Sequence, residues 1–126
     1  MSSSGEHASR VLVVDDDPRF LATVRDVLTD EGYVVEIAGN GAAATRRFHT
    51  FSPDVLVLDL VMPGLMDGIE VLGWLKQQGL QTPVVVLTND DDWKAEAGVI
   101  KLSKPCTLEQ LLDSVARAVG SRGPAP

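Results

Sequence analysis

Four places in the sequence put a chemically capable side chain directly after a short apolar run. They are Asp15, Asp16 and Asp17 after VLVV, Asp59 after VLVL, Thr88 after VVVL, and Lys104 shortly after VIKL. An unpaired charge buried among apolar side chains costs several kcal/mol, so a carboxylate here needs either solvent or a partner. Asp59, inside PDVLVLDLVMP, is therefore either the wet end of a buried strand or part of a site.

These residue types together favour phosphoryl transfer. Clustered carboxylates repel one another unless a divalent cation joins them, and their hard oxygen atoms suit Mg²⁺, which also accepts a phosphoryl oxygen as a ligand. A carboxylate beside the metal can attack phosphorus and form an acyl phosphate. Thr88 could donate a hydrogen bond to one phosphoryl oxygen while Lys104 neutralises another. We therefore expect Asp59 to be both a strand end and a site.

The elements that must position these groups alternate along the chain. Short apolar runs occupy residues 10–14, 33–38, 54–58, 83–87 and 99–102, and several of them lack alternation, which is typical of parallel strands covered on both faces. Helical patterns follow at 18–31, after Asp17-Pro18 and before Gly32, and at 42–51, 68–78 and 108–119. This order predicts an α/β fold with a doubly wound, five-stranded parallel sheet. Ligands of such sheets bind beyond the carboxyl ends of the strands, where all four polar places would meet.

Length and composition bound the possible functions. The 126 residues, 44% of them hydrophobic, suit one domain, which we place at 10–119 between flexible tails at 1–9 and 120–126. The formal net charge of −7 argues against nucleic acid as a partner. No apolar run is long enough to span a membrane, the first ten residues are too polar for a signal peptide, and Cys106 is a single cysteine. These features predict a cytoplasmic protein without a membrane partner.

The motifs resemble the response-regulator receiver domain of two-component signalling, over about residues 10–119. VLVVDDDP, VLVLDLVMPG with a following DG, VVVLT and KLSKP stand in that family's order, each at a strand end. The resemblance implies a flavodoxin-like sheet, phosphorylation of Asp59, Mg²⁺ bound by Asp15, Asp16, Asp59 and the backbone carbonyl of Val61, a switch hydroxyl at Thr88 and a phosphate contact by Lys104. It also implies a bacterial phosphoprotein that is not an enzyme beyond its own phosphorylation and dephosphorylation. Its partners would be a sensor histidine kinase or histidine phosphotransfer protein and an output protein.

Three features depart from the family pattern. The loop MPGLMDG is one residue longer than usual, and Lys101 stands where the family carries a switching aromatic ring. Only residues 89–98 connect the fourth and fifth strands, and ten residues cannot supply the roughly 11 helical residues that a full crossover needs. We therefore expect the fourth helix to be cut to one or two turns, near 93–97, or replaced by a loop. We also expect activation to order this segment rather than to bury Lys101.

Two other functions remain open at this stage. The first is a receiver-like binding module that never carries phosphate. The second is a haloacid-dehalogenase-type phosphatase, for which Asp15 and Asp17 would supply the Asp-x-Asp motif. Flavin binding is weaker, because DDDP would repel a phosphate. Three other polar features have structural interpretations. We expect Asp17 to cap a helix, Asp90 to Asp92 to lie in a solvated loop, and His49 to lie on the surface of a helix.

Overall fold

The sheet contains five parallel strands in the order β2-β1-β3-β4-β5. The computed structural model describes residues 8–64 and 66–122, with side chains as far as Gly120. The strands are β1 (Arg10–Val14), β2 (Val34–Ala38), β3 (Val55–Asp59), β4 (Val84–Thr88) and β5 (Val99–Ser103). This order places β1 and β3 side by side at the centre, so the residues that follow them share one rim of the sheet. The predicted doubly wound fold is confirmed.

Four helices cover the two faces: α1 (Pro18–Asp30), α2 (Gly41–Phe51), α3 (Gly68–Gln77) and α4 (Leu108–Arg122). Polar side chains begin three of them at sites near the rim. Asp17 accepts the backbone N–H groups of Arg19 and Phe20 in α1, and Asn40 caps α2. Asp67 and Glu70 form a reciprocal capping box at the start of α3.

Two separate apolar cores lie on opposite faces of the sheet. Residues of α2 and α3, such as Phe48 and Leu75, pack with Leu56 and Val86 on one face. Residues of α1 and α4, such as Leu21, pack with the alternate strand positions on the other face. Because successive strand residues point to opposite faces, strands that are apolar at every position supply both cores. The fully buried strands β3 and β4 therefore carry their last residues, Asp59 and Thr88, to fixed positions.

No helix connects β4 to β5, although every residue of this connection, 89–98, is described. The 89–98 segment is a loop with turns at Asp91-Asp92 and at its end. This agrees with the argument that ten residues are too few for a full crossover helix. The short helix placed near 93–97 does not form. The side chain of Trp93 packs instead against the core on the α2–α3 face. An exposed ion pair between Lys76 of α3 and Glu96 also contacts the segment.

The predicted element boundaries need small corrections, and the start of the predicted C-terminal tail needs a larger one. The predicted tail began at Gly120, but α4 continues to Arg122. A glycine costs a helix interior about 1 kcal/mol relative to alanine, which is not enough to end a helix near its terminus. Residues 123–126 and 1–7 lie outside the described residues. Among the described residues, no helix has the length and apolarity to cross a bilayer.

Candidate functional site

Three carboxylates meet at the rim formed by the ends of β1 and β3. Oxygen atoms of Asp15, Asp16 and Asp59 all lie within 4.8 Å of one another. Asp15 and Asp59 are buried, each about 4% exposed, whereas Asp16 is exposed. The sequence placed these residues after separate strands, and the central pairing of β1 with β3 is what brings them together.

Burial destabilises the ionised form of Asp15. Its pKa rises from 3.8 to about 6, mainly because burial removes water from the charge. A hydrogen bond from the backbone N–H of Asp17 to Asp15 Oδ1, 2.9 Å long, lowers the pKa, and the charge of Asp59 raises it. Lys104 lowers it further, and Asp16 raises it. Burial therefore outweighs the hydrogen bond and the lysine that favour the ionised form of Asp15.

Lys104 supplies the nearest cation to Asp59. Its Nζ donates a hydrogen bond to Asp59 Oδ1 across 3.0 Å, although the two residues are 45 positions apart. The backbone also fixes Lys104, because its N–H donates to the carbonyl oxygen of Thr88, 2.9 Å away. The structure thus brings Lys104 to the rim of the sheet that holds Asp59, where the strand-end side chains were expected to meet.

The backbone around Asp59 leaves little freedom. The N–H of Val61 makes a long contact, 3.4 Å, with Asp59 Oδ1, and Leu60 N–H bonds to Leu87 O. Gly68, the first residue of α3, lies so close that an added Cβ would collide with the Asp59 carbonyl oxygen and approach Leu60 Cα to 2.7 Å. The sequence argument missed this role of Gly68, although the DG that ends the loop was a signal for a helix start in a tight place.

Thr88 is buried at the end of β4 and already has a hydrogen-bond partner. Its Oγ1 accepts the backbone N–H of Asp90 across 3.0 Å. A hydroxyl has one hydrogen to donate and two lone pairs, so this contact leaves the hydrogen for another acceptor. The predicted position of Thr88 on the same rim as Lys104 agrees with the structure, because Thr88 O binds Lys104 N–H.

Lys101 lies outside the carboxylate cluster and contacts the 89–98 segment. Its Nζ donates to the carbonyl oxygens of Asp91, at 3.0 Å, and Trp93, at 2.8 Å. The ammonium is therefore satisfied by backbone carbonyls rather than buried without a partner, as expected from the cost of burying it. These contacts join Lys101 to the segment without any phosphoryl group, and the expectation that activation orders the segment stays a prediction.

The Asp-x-Asp interpretation is not supported by the position of Asp17. Its exposed carboxylate accepts the N–H groups at the start of α1 and so serves as a helix cap, while Lys104 contacts Asp59 rather than Asp15. His49 is exposed on α2 with its ring at the edge of Trp74. These residues fit the structural roles assigned from the sequence.

The donor set at the rim fits Mg²⁺. Three carboxylate oxygens from separate residues converge, one of them exposed to water, and the ammonium of Lys104 pairs with Asp59. Mg²⁺ prefers such hard oxygens and keeps several waters, which exposed Asp16 would allow. Neither a cysteine nor a histidine belongs to this cluster, so softer metals are less suited to it.

Comparison with known sequences agrees with this site. The model of the response regulator receiver domain matches residues 11–116. Transcriptional regulatory protein TcrA of Mycobacterium tuberculosis is 36% identical over 123 residues, covering 93% of this chain and 48% of TcrA. Response regulator MprA of Mycobacterium ulcerans is 39% identical over 109 residues, covering 82% of this chain and 47% of MprA. The chain spans about half the length of these curated relatives.

Solved structures show the same fold over nearly the whole chain. The signal receiver domain of a signal transduction histidine kinase from Syntrophus aciditrophicus has a TM-score of 0.83 and 30% identity, covering 94% of this chain and 96% of that one. The receiver domain of the Francisella response regulator 1452 has a TM-score of 0.82 and 28% identity, with coverages of 90% and 98%. The five-stranded sheet, the acidic rim and the matched family model together show that this chain belongs to the response regulator receiver domains of two-component signalling.

Proposed function

We propose that this receiver accepts a phosphoryl group on the carboxylate of Asp59. The observation that carries the proposal is the position of Asp59: buried at a strand end, with Lys104 Nζ at 3.0 Å and two further carboxylates within 4.8 Å. A buried carboxylate that had only a structural role would not need two other acids beside it, because their mutual repulsion costs free energy. Their convergence is useful where a cation and a phosphoryl group must be held together.

The donor is a phosphohistidine of a sensor histidine kinase or a histidine phosphotransfer protein. An Asp59 oxygen attacks phosphorus, the new O–P bond forms as the N–P bond breaks, and the imidazole leaves with the N–P electron pair. Lys104 stays beside the carboxylate and meets the charge of one phosphoryl oxygen, while the Thr88 hydroxyl hydrogen is available to another. Water later hydrolyses the acyl phosphate, which returns Asp59 to its carboxylate form.

Asp15, Asp16, Asp59 and the backbone carbonyl of Val61 would hold Mg²⁺. When bound, the ion neutralises charge on the phosphoryl group as it moves between donor and acceptor. The three carboxylates are supported by their convergence, and the carbonyl of Val61 is taken from the resemblance to the receiver family. A cation bound at this cluster would compensate for the cost of burying the Asp15 carboxylate, which burial otherwise disfavours in its ionised form.

Signalling passes to an output protein that recognises the phosphorylated state. TcrA is described as a transcriptional regulatory protein, and this chain matches under half of its length. The expectation that the domain itself does not bind nucleic acid therefore remains a prediction, supported by its net charge of −7.

Intact-mass measurement after incubation with acetyl phosphate and Mg²⁺ tests the proposal. The wild-type protein should gain the mass of one phosphoryl group, and Asp59→Asn should gain none, because an amide oxygen is a poor nucleophile. Asp54→Asn, near the opposite end of the same strand, is the matched control and should label like the wild type. Equal labelling of wild type and Asp59→Asn would exclude Asp59 as the acceptor.

A further inference from the structure

Lys101 has contacts that the phosphoacceptor site does not require. It lies in β5 opposite Val86 of β4, and Thr88 follows Val86 by two residues. Side chains two residues apart on a strand point to the same face, so Lys101 and Thr88 share the α2–α3 face, where no helix connects β4 to β5. The half-buried side chain of Lys101 reaches across this face to the backbone of the 89–98 segment.

A small turn joins Lys101 to Thr88. Trp93 N–H bonds to Asp90 O at 3.2 Å, and Asp92 N–H bonds to Asp90 Oδ1 at 3.0 Å. At one end of this turn the Asp90 N–H donates to Thr88 Oγ1, and at the other end Lys101 Nζ binds the carbonyls of Asp91 and Trp93. In a crossover helix these carbonyls would accept backbone N–H groups, so one ammonium replaces part of the missing helix.

We propose that Lys101 is a positioning residue for the hydroxyl of Thr88. By holding the Asp91 and Trp93 carbonyls it fixes the turn, the turn fixes the Asp90 N–H, and that N–H occupies one lone pair of Thr88 Oγ1. The hydroxyl hydrogen is then directed away from Asp90 and is free to donate to an acceptor at the rim. The role at the rim rests on the proposed phosphorylation of Asp59.

The coupling between the turn and the Thr88 hydroxyl works in both directions. If the position of the turn affects how well Thr88 meets a phosphoryl group, then the phosphoryl group must affect the turn by the same free energy. In this chain the signal would thus be carried by contacts of Lys101 with backbone carbonyls. A change in these contacts would alter the loop surface around Trp93, which packs against the core of the α2–α3 face.

Amide hydrogen exchange of the unphosphorylated protein tests the contact itself. Lys101→Met keeps the length of the apolar stem and removes the donors, and it should speed exchange of the Asp90 amide about tenfold, because charge-assisted hydrogen bonds to the turn are lost. Lys101→Arg, which keeps a cation with several donors, should restore slow exchange. Lys76→Met, which breaks the ion pair with Glu96 at the other side of the segment, should leave the Asp90 amide unchanged. Unchanged Asp90 exchange in Lys101→Met would overturn the proposal.

A double-mutant cycle then tests the link to Thr88. Lys101→Met should slow phosphorylation by acetyl phosphate about fivefold in the wild-type background and have no further effect in Thr88→Ala. Equal slowing in both backgrounds would mean that Lys101 acts only on general structure, which would refute the positioning role. If the wild-type protein takes no phosphate, the proposed function fails, whereas the exchange of Asp90 still decides whether Lys101 holds the partner of Thr88.

Discussion

Asp15 and Asp59 are both buried acids, yet their surroundings give them different properties. Asp59 has the ammonium of Lys104 at 3.0 Å, while the nearest donor to Asp15 is the neutral N–H of Asp17. Burial therefore raises the pKa of Asp15 to about 6. The rim brings three carboxylates close together beside one lysine, and this arrangement costs the folded protein stability.

Replacing Asp15 by asparagine should stabilise the metal-free protein. Because the folded-state pKa of Asp15 is raised, the unfolded chain releases this proton first, and the free energy of unfolding falls as pH rises from about 4 to about 6. A rise from 3.8 to about 6 corresponds to about 3 kcal/mol above that window. Urea unfolding of Asp15→Asn should show most of this gain at pH 8 and none near pH 3. The exposed Asp113→Asn is the control, and a loss of stability in Asp15→Asn at pH 8 would contradict the account.

Replacing Lys104 by methionine should separate phosphoryl transfer from metal binding. Its ammonium faces Asp59, so phosphorylation by acetyl phosphate should slow about a hundredfold, as when a preplaced donor is removed from a charged transition state. Mg²⁺ should bind at least as tightly as in the wild type, because a competing positive charge has gone. Calorimetry and intact mass give the two values. Loss of Mg²⁺ binding with unchanged phosphorylation would place Lys104 elsewhere in the mechanism.

At the scale of elements, the start of α3 is built against the phosphoacceptor strand. Gly68 N–H donates to the carbonyl oxygen of Leu60 at 3.1 Å, and the capping box of Asp67 and Glu70 holds the first turn of the helix. The helix can come this close to Asp59 only because residue 68 has no side chain. The geometry of the site thus depends on a glycine that has no chemistry of its own.

Alanine substitutions at two glycines of α3 should have opposite effects. Gly68→Ala should destabilise the protein by about 1 to 3 kcal/mol, because its Cβ would meet the backbone of Asp59 and Leu60. Gly73→Ala, in the same helix with nothing within 4 Å of an added Cβ, should stabilise it by about 0.5 to 1 kcal/mol. Thermal unfolding compares the two. Similar effects at both positions would mean that α3 does not lie against the end of β3 as described.

The sequence predicted the elements well because its signals here are local. Short apolar runs, two of them interrupted by Glu36 or Lys101, placed all five strands within one residue at each end, and ten residues between β4 and β5 were too few for a crossover helix. The contacts of Lys101 and the close approach of Gly68 could not be predicted, because both depend on which backbone atoms of other elements lie beside them. The same holds for the pKa of Asp15, since burial is a property of the folded protein.

At the scale of the whole molecule, the sheet order concentrates negative charge at one rim of a chain whose net charge is already −7. The chain order β1-β2-β3 becomes the spatial order β2-β1-β3, and this exchange sets Asp15 and Asp16 beside Asp59. Metal binding at this rim should therefore affect the stability of the entire domain, because the cluster exists only in the folded state.

Mg²⁺ should raise the melting temperature of the domain. At a concentration ten times its Kd, a ligand that binds only the folded state contributes about 1.4 kcal/mol, which is about 5 °C for a domain of this size. Asp15→Asn should lose this shift, because one of the three carboxylates is gone. Differential scanning fluorimetry at pH 8, with equal ionic strength from NaCl as the control, measures the effect. The same shift in wild type and Asp15→Asn would place the metal elsewhere.

The most direct test of the account is chemical localisation of the acyl phosphate. Borohydride reduces an aspartyl phosphate to homoserine, which peptide mass spectrometry identifies at a single position. After incubation with acetyl phosphate, we predict homoserine at position 59 only, formed in the presence of Mg²⁺ and absent when the metal is chelated. Homoserine at position 15 or 16 would contradict the assignment of Asp59 as the phosphoacceptor, and phosphorylation that does not require Mg²⁺ would contradict the proposed metal site.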